Sequence, residues 1–413
     1  MRSPTVLAIS EQYRPIDGGG VTYTTKLSQA LAREGCAVHL VISTPLTELP
    51  RHRWTSQNGV FLYNIPAPQM LGCNTRLGRR YFTFRLRTRI RRMLRDIQPD
   101  VVHVLYGHTV PWIFHFLPVG MSKVWTVQNV PPNEYGSSVL TPFPSVNTVL
   151  YAPYLRLVGA VHRRNIRRFP FNHMVSPSER TRDALVHAGV SRERVTVIPN
   201  GVDTDVFQPF SKTSVDEIRR GVHLSGDPLV LSVAGVVRHK GQLAVINALS
   251  LLRKRYPKVR FVNMGEVRDL LYAAEVQRAI RDEHLEDACT FLPGTLPEEL
   301  VSRHYNACDV YVQPSSVEGF GIAVLEAISC GRSVVGTTAG TISRMIQDAG
   351  AGIVIEPGNT RALAQSIAYL YTHPPSPAAR RAMHTYVQQS FSWSTVARST
   401  MALYATLLRN AQA

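Results

Sequence analysis

Cysteine is scarce and scattered: Cys36, Cys73, Cys289, Cys308 and Cys330 are odd in number and form no C-x-x-C pair. Neither a disulfide framework nor a cysteine-rich zinc site fits that spacing, and a reducing compartment suits it. No run of about 18 apolar residues occurs, so hydropathy offers no membrane-spanning helix. Near the start, Val6 to Ile9 is too short for a signal peptide and is soon followed by Glu11. The expectation is a cytoplasmic protein, soluble or peripheral on the inner face of a membrane.

Acidic residues are also few. Against 46 Lys and Arg stand 29 Asp and Glu, a formal net charge of +17, which calls for an acidic partner: nucleic acid, an anionic membrane or a phosphorylated substrate. No helix-turn-helix, zinc-finger spacing or aromatic ribonucleoprotein pattern accompanies the basic residues, so no nucleic-acid partner is expected. The densest basic segment is Arg76 to Arg95, with nine arginines and no acid, while Phe82, Leu86, Ile90, Met93 and Ile97 recur at helical spacing. One face of that helix packs on a sheet; the other meets water, an anionic membrane or a phosphate-bearing acceptor. Arg156, Arg163, Arg164, Arg167 and Arg168 form a second basic cluster.

What the chain does have is a regular alternation of short apolar runs and amphipathic stretches over 413 residues, enough for two or three domains. Strands are expected at Val6–Ser10, Ala37–Ser43, Val60–Ile65, Val101–Leu105, Lys123–Val127, His173–Val175 and Val195–Ile198. A polar stretch, Gln208 to Asp227, follows. A second series then runs through Leu229–Gly235, Val259–Met264, Cys289–Leu292, Asp309–Gln313, Ser333–Val335 and Gly352–Ile355. Strands alternating with helices form parallel sheets covered on both faces. Gly18-Gly19-Gly20 precedes a helix expected over Val21–Glu34, a place where backbone can approach an anion closely.

The chemically richest stretch runs from Gln313 to Ile342, QPSSVEGFGIAVLEAISCGRSVVGTTAGTI. A strand ends at Gln313, a glycine-punctuated loop follows, and a helix is expected from about Ile322. Glu318 then lies in the loop and Glu326 on the second helical turn, so both can face one ligand. The helix start and the turn Thr337–Thr341 each offer unpaired N–H groups suited to phosphate.

This stretch resembles the donor-site signature of retaining glycosyltransferases of family 4, with their E-x7-E pattern spelled from Glu318 to Glu326 and Pro314-Ser315, Gly331, Val334, Val335 and Gly340 in the same order. The turn Asn200-Gly201-Val202-Asp203 and the ending Phe391-Ser392-Trp393 are similar to the family as well. The resemblance implies a GT-B fold of the α/β class. Residues 1–205 would form an acceptor-binding Rossmann-like domain and 206–388 a nucleotide-sugar-binding one facing it across a cleft, with 389–413 a helix returning to the first. It implies an enzyme transferring a sugar from a UDP- or GDP-sugar to an acceptor hydroxyl with no cofactor and no metal. Asp203-Thr204-Asp205 is then a linker turn rather than a D-x-D metal site.

Carried over position by position, the resemblance gives catalytic roles to Glu318 and Lys240, with His108 near the transferred sugar. Donor binding falls to Gly19, Gly20, Arg238, Lys240, Glu318, Phe320, Gly321, Ile322 and Glu326. Several positions depart from the family. Leu105 stands where relatives have a histidine beside the sugar, Gln128 where many have another, and Glu266 where a second glycine often follows Gly265. Most consequentially, Gly235 stands where relatives place an arginine on the donor diphosphate, and either Arg238 reaches in or that grip is weaker. The basic helix directs the acceptor assignment toward a lipid-linked or polysaccharide acceptor. A soluble acceptor, such as a secondary metabolite or sugar phosphate, and a nucleotide-sugar-binding protein without turnover are the alternatives.

Overall fold

The computed structural model describes residues 3–11, 19–43, 54–55, 59–65, 76–107, 110–128, 166, 169–221, 226–294 and 296–412. They divide into two compact units. The first joins the N-terminal part of the chain up to Gly201 with the segment Trp393–Ala413, and the second is built on Val202–Ser392.

The first unit carries an eight-stranded sheet of β1 (Thr5–Ser10), β2 (Ala37–Ile42), β3 (Trp54–Thr55), β4 (Phe61–Asn64), β5 (Val101–Tyr106), β6 (Ser122–Thr126), β7 (His173–Ser176) and β8 (Val195–Val197). Its order is β3-β4-β2-β1-β5-β6-β7-β8, and every pair is parallel except β3 with β4. Both faces are covered, which is why β1 reads as a continuous apolar run: Val6, Leu7, Ala8 and Ile9 are all fully buried. Val6 and Ala8 join one core, Leu7 and Ile9 the other. The helix Arg76–Ile97 lays Phe82, Leu86 and Ile90 into the second core, as its 3.6-residue period predicts.

The last helix, Trp393–Gln412, packs Trp393, Val396, Ala397 and Tyr404 into the core that holds Val6 and Ala8. A buried polar link pins it there. His103 of β5 hydrogen-bonds the Tyr404 hydroxyl through Nδ1 at 2.5 Å and Thr126 Oγ1 through Nε2 at 2.8 Å, and Thr126 Oγ1 also meets the Tyr23 hydroxyl at 3.2 Å. Complete burial pushes the imidazole pKa down to about 3, so His103 is neutral at pH 7.

The second unit has a six-stranded, wholly parallel sheet of β9 (Leu229–Val233), β10 (Arg260–Met264), β11 (Cys289–Leu292), β12 (Val310–Gln313), β13 (Ser333–Thr337) and β14 (Gly352–Ile355), ordered β11-β10-β9-β12-β13-β14. The stretch read as a polar linker contains a helix, Lys212–Gly221. Its few apolar residues hid it, but Ile218 packs on the core and Arg219 pairs with Asp309 at 2.6 Å.

Candidate active site

In the second unit the sheet grows in one direction from β9 through β10 to β11 and in the other from β12 to β14. The reversal between β9 and β12 is a topological switch point, and open parallel sheets bind ligands just beyond the carboxyl ends of the strands there. The two loops that leave these ends carry the residues singled out from sequence. They are fastened to each other: Ser316 N–H donates to the His239 carbonyl at 2.9 Å. Gly241 has φ +76°, and a Cβ there would stand 2.5 Å from the Pro314 carbonyl oxygen, so only glycine permits this approach.

Lys240 and Glu318, 78 positions apart in sequence, meet in a two-pronged ion pair, with Nζ 2.9 and 2.6 Å from the two carboxylate oxygens. Behind it, Gln313 donates to Glu318 Oε2 at 3.3 Å and to Ser315 Oγ at 2.9 Å, while the buried Tyr311 hydroxyl donates to Gln313. Glu326 stands on the second turn of the helix Ile322–Ser329, which starts behind the left-handed Gly321 at φ +101° as the sequence predicts. Its Oε2 accepts from the buried Tyr305 hydroxyl at 2.9 Å, and Tyr305 also donates to the Ala323 carbonyl. Sequence reasoning did not find Gln313, Tyr305 or Tyr311 as supports; nothing in their spacing from the glutamates marks them.

The side chains of Phe320 and Ile322 take part in the core. Phe320 is buried in the core, its ring 6.3 Å from that of Phe391, and Ile322 packs against the same core. Burial commits the Phe320 ring to the core and leaves its backbone groups for a ligand, while Ile322 is half-buried. In the turn Thr337–Thr341 the hydroxyls are engaged as well: Thr337 donates to the Ser315 carbonyl at 2.6 Å and Thr341 to that of Phe320 at 2.5 Å, which ties the Glu318 loop down.

Arg238 is turned toward Glu275, 2.5 Å away, and lies over the Tyr272 ring at 5.1 Å. His239, beside Lys240, has its pKa pushed down to about 4, by burial first and then by the Lys240 cation, an effect that Glu318 opposes and Arg268 reinforces. At pH 7 it is neutral.

In the first unit the corresponding switch point lies between β1 and β5. Gly19 and Gly20 are already helical, because the helix starts at Gly19 rather than Val21. A Cβ on Gly20 would fall 2.3 Å from the Tyr106 ring, so this glycine makes room for the ring at the end of β5. His108 and the arginine cluster Arg156, Arg163, Arg164, Arg167 and Arg168 lie outside the described residues. The Asn200 side-chain amide donates to Gln128 Oε1 at 3.0 Å. Asp203 closes a turn whose carbonyl accepts from the Val206 and Phe207 N–H groups. Among the described residues no group of three or more His, Cys, Asp or Glu could hold a metal ion, and no helix is long and apolar enough to cross a membrane. Along the helix Arg76–Ile97, Phe84 is 60% exposed; nearby in sequence Trp112 is 49% and Val119 96% exposed. Arg87 stands over the Phe116 ring at 4.4 Å.

Two doubly wound units, one carrying paired glutamates and a lysine at its switch point, define a glycosyltransferase of the GT-B class. The chain belongs to glycosyltransferase family 4: residues 17–206 match Glycosyltransferase Family 4 and residues 214–389 match Glycosyl transferases group 1. It is similar to the D-inositol 3-phosphate glycosyltransferase of Pseudarthrobacter chlorophenolicus, 26% identical over 412 residues that take in 94% of this chain and 90% of that one. It is also 27% identical, over 61% of its length and 54% of the other's, to a phosphatidylinositol N-acetylglucosaminyltransferase component of Arabidopsis thaliana. Among solved structures, the sucrose-phosphate synthase of Thermosynechococcus elongatus shares the fold with TM-score 0.78 at 20% identity, covering 99% of this chain and 100% of that one. HepE of Anabaena in complex with UDP shares it with TM-score 0.73 at 17% identity, over 97% and 100%.

Proposed function

We propose that this chain is a retaining glycosyltransferase that takes a sugar from a UDP- or GDP-sugar without a metal. The observation that carries the reading is the Lys240–Glu318 pair at the switch point, with Glu326 held by Tyr305 on the next helix. A glycosyl transfer from a nucleoside diphosphate must stabilise negative charge on the leaving phosphate and positive character on the anomeric carbon. Lys240 and the helix start behind Gly321 serve the phosphate, Glu318 the hydroxyls of the sugar, and Glu326 the ribose. The bond from the anomeric carbon to the β-phosphate oxygen breaks, the acceptor oxygen bonds that carbon on the same face, and the hydroxyl proton passes to the departing diphosphate.

For the acceptor, we propose a hydroxylated molecule that carries phosphate, presented at or near an anionic lipid surface. Inositol 3-phosphate in the name of the Pseudarthrobacter relative and phosphatidylinositol in that of the Arabidopsis relative support the phosphate. The arginines of the helix Arg76–Ile97, beside the exposed Phe84, support the surface.

The test is release of nucleoside diphosphate from UDP-, GDP-, ADP- and dTDP-sugars, with Lys240→Ala and Glu326→Ala alongside. One nucleotide is expected to be released slowly by the wild type even without acceptor, and both substitutions are expected to abolish release. Binding of a nucleotide with no release, across added lipid and sugar acceptors, would overturn transfer in favour of binding alone.

A further inference from the structure

The donor site described above is short of positive charge. A nucleoside diphosphate brings at least two negative charges, yet Lys240 is matched by Glu318, Arg238 by Glu275, and His239 is neutral at pH 7. One further cation stands on the loops that leave β9 and β10, and it is Arg268.

Its position follows from how those loops run. Beyond the strand ends they continue side by side: Val236 N–H donates to the Glu266 carbonyl at 2.8 Å, Arg268 N–H donates to the Val236 carbonyl at 3.1 Å, and Val236 pairs with Val267 in a parallel bridge. This fixes the Arg268 backbone beside Gly235. A Cβ placed on Gly235 would stand 3.2 Å from both Cδ and Nε of Arg268, and 3.3 Å from the Glu266 carbonyl oxygen. The arginine therefore lies across the glycine, in the room that a side chain at position 235 would take. Its nearest acid is Glu266, with Nε to carboxylate at the ion-pair limit of 4.0 Å, and the side chain is 54% exposed. The Arg268 charge also reaches His239, where it adds to the lowering by Lys240 that follows burial.

We propose that Arg268 is a diphosphate-binding residue of the donor site, and that Gly235 is glycine so that Arg268 can lie across it. The inference rests on the donor-site reading given above. A guanidinium has two parallel N–H groups to offer phosphate oxygens, and which loop delivers it does not matter to the phosphate. In this chain it comes from the end of β10 rather than the end of β9.

Calorimetric titration with UDP and GDP, each beside its phosphate-free nucleoside, tests this. For the nucleotide that binds, Arg268→Ala is expected to lower diphosphate affinity on the order of tenfold to a hundredfold, as loss of a charge-assisted contact does, and to leave nucleoside affinity unchanged. Adding Gly235→Arg to Arg268→Ala is expected to recover most of the loss, because the vacated space admits the new side chain. An equal fall in diphosphate and nucleoside affinity, or no recovery in the double variant, would overturn the inference. Normal diphosphate binding by Arg268→Ala while Lys240→Ala loses it would also overturn it and leave the donor-site reading standing. Indifference of diphosphate binding to both Lys240→Ala and Arg268→Ala would remove the donor-site reading itself.

Discussion

A lysine that already holds a carboxylate must loosen that grip to take a phosphate. On the proposed function Lys240 and Glu318 are therefore competitors as well as neighbours: each satisfies the other in the ion pair, and a diphosphate would draw Lys240 away as sugar hydroxyls engaged Glu318. Glu318→Gln separates the two roles. It is expected to bind nucleoside diphosphate a few-fold more tightly, with Lys240 released, and to transfer sugar about tenfold more slowly, with a neutral amide in place of the charge proposed to face the sugar. Titration and turnover measured on the same preparation check both halves. The glutamates were legible in the sequence because their spacing, the intervening glycines and the helix start are all local. The pairing of Glu318 with a lysine 78 positions away was not, nor was the hold of Tyr305 on Glu326, since contacts across a sheet leave no mark on spacing. The direction of the Phe320 ring was not legible for a related reason: position within a motif says where the backbone goes, and the core decides where an apolar ring points.

Among elements, strands were the most legible, because burial on both faces writes them as unbroken apolar runs. The helix Lys212–Gly221 was illegible because only a narrow face of it is apolar, and its order comes from Ile218 in the core and the Arg219–Asp309 pair. The last helix depends on a polar contact, and its attachment is therefore sensitive to acid. His103 titrates near 6.5 in an unfolded chain but at about 3 when buried against Tyr404 and Thr126. Between those values the unfolded chain binds a proton that the folded one refuses. The stabilising contribution is complete above pH 6.5 and falls away as the pH drops toward 3, by about 1.4 kcal/mol per pH unit at most. Burial shifts His173 and His239 in the same direction, so the comparison is between slopes. The melting temperature of His103→Gln is expected to change less from pH 7 to pH 5 than that of the wild type. Equal slopes would show that His103 is not the source.

For the whole molecule the dominant quantity is a net charge of +17. Its sign and its concentration in the helix Arg76–Ile97 were readable from composition alone; which surface it meets was not, because charge names a class of partner and no structure within it. Arg87, Arg89, Arg91 and Arg92 are exposed. Co-flotation with vesicles containing anionic lipid is expected for the wild type at low ionic strength, to weaken with added salt, and to be lost when these four are changed to Glu. Flotation unaffected by the charge reversal would remove the case for a membrane surface. The route of the chain has a further consequence, for synthesis. Val202–Ser392 is one continuous stretch of the second unit, whereas the core around Val6 and Ala8 awaits Trp393, Val396 and Tyr404, which are translated after that stretch. The first unit is begun before that stretch and completed after it, and until Tyr404 arrives the imidazole of His103 lacks the phenol that caps it.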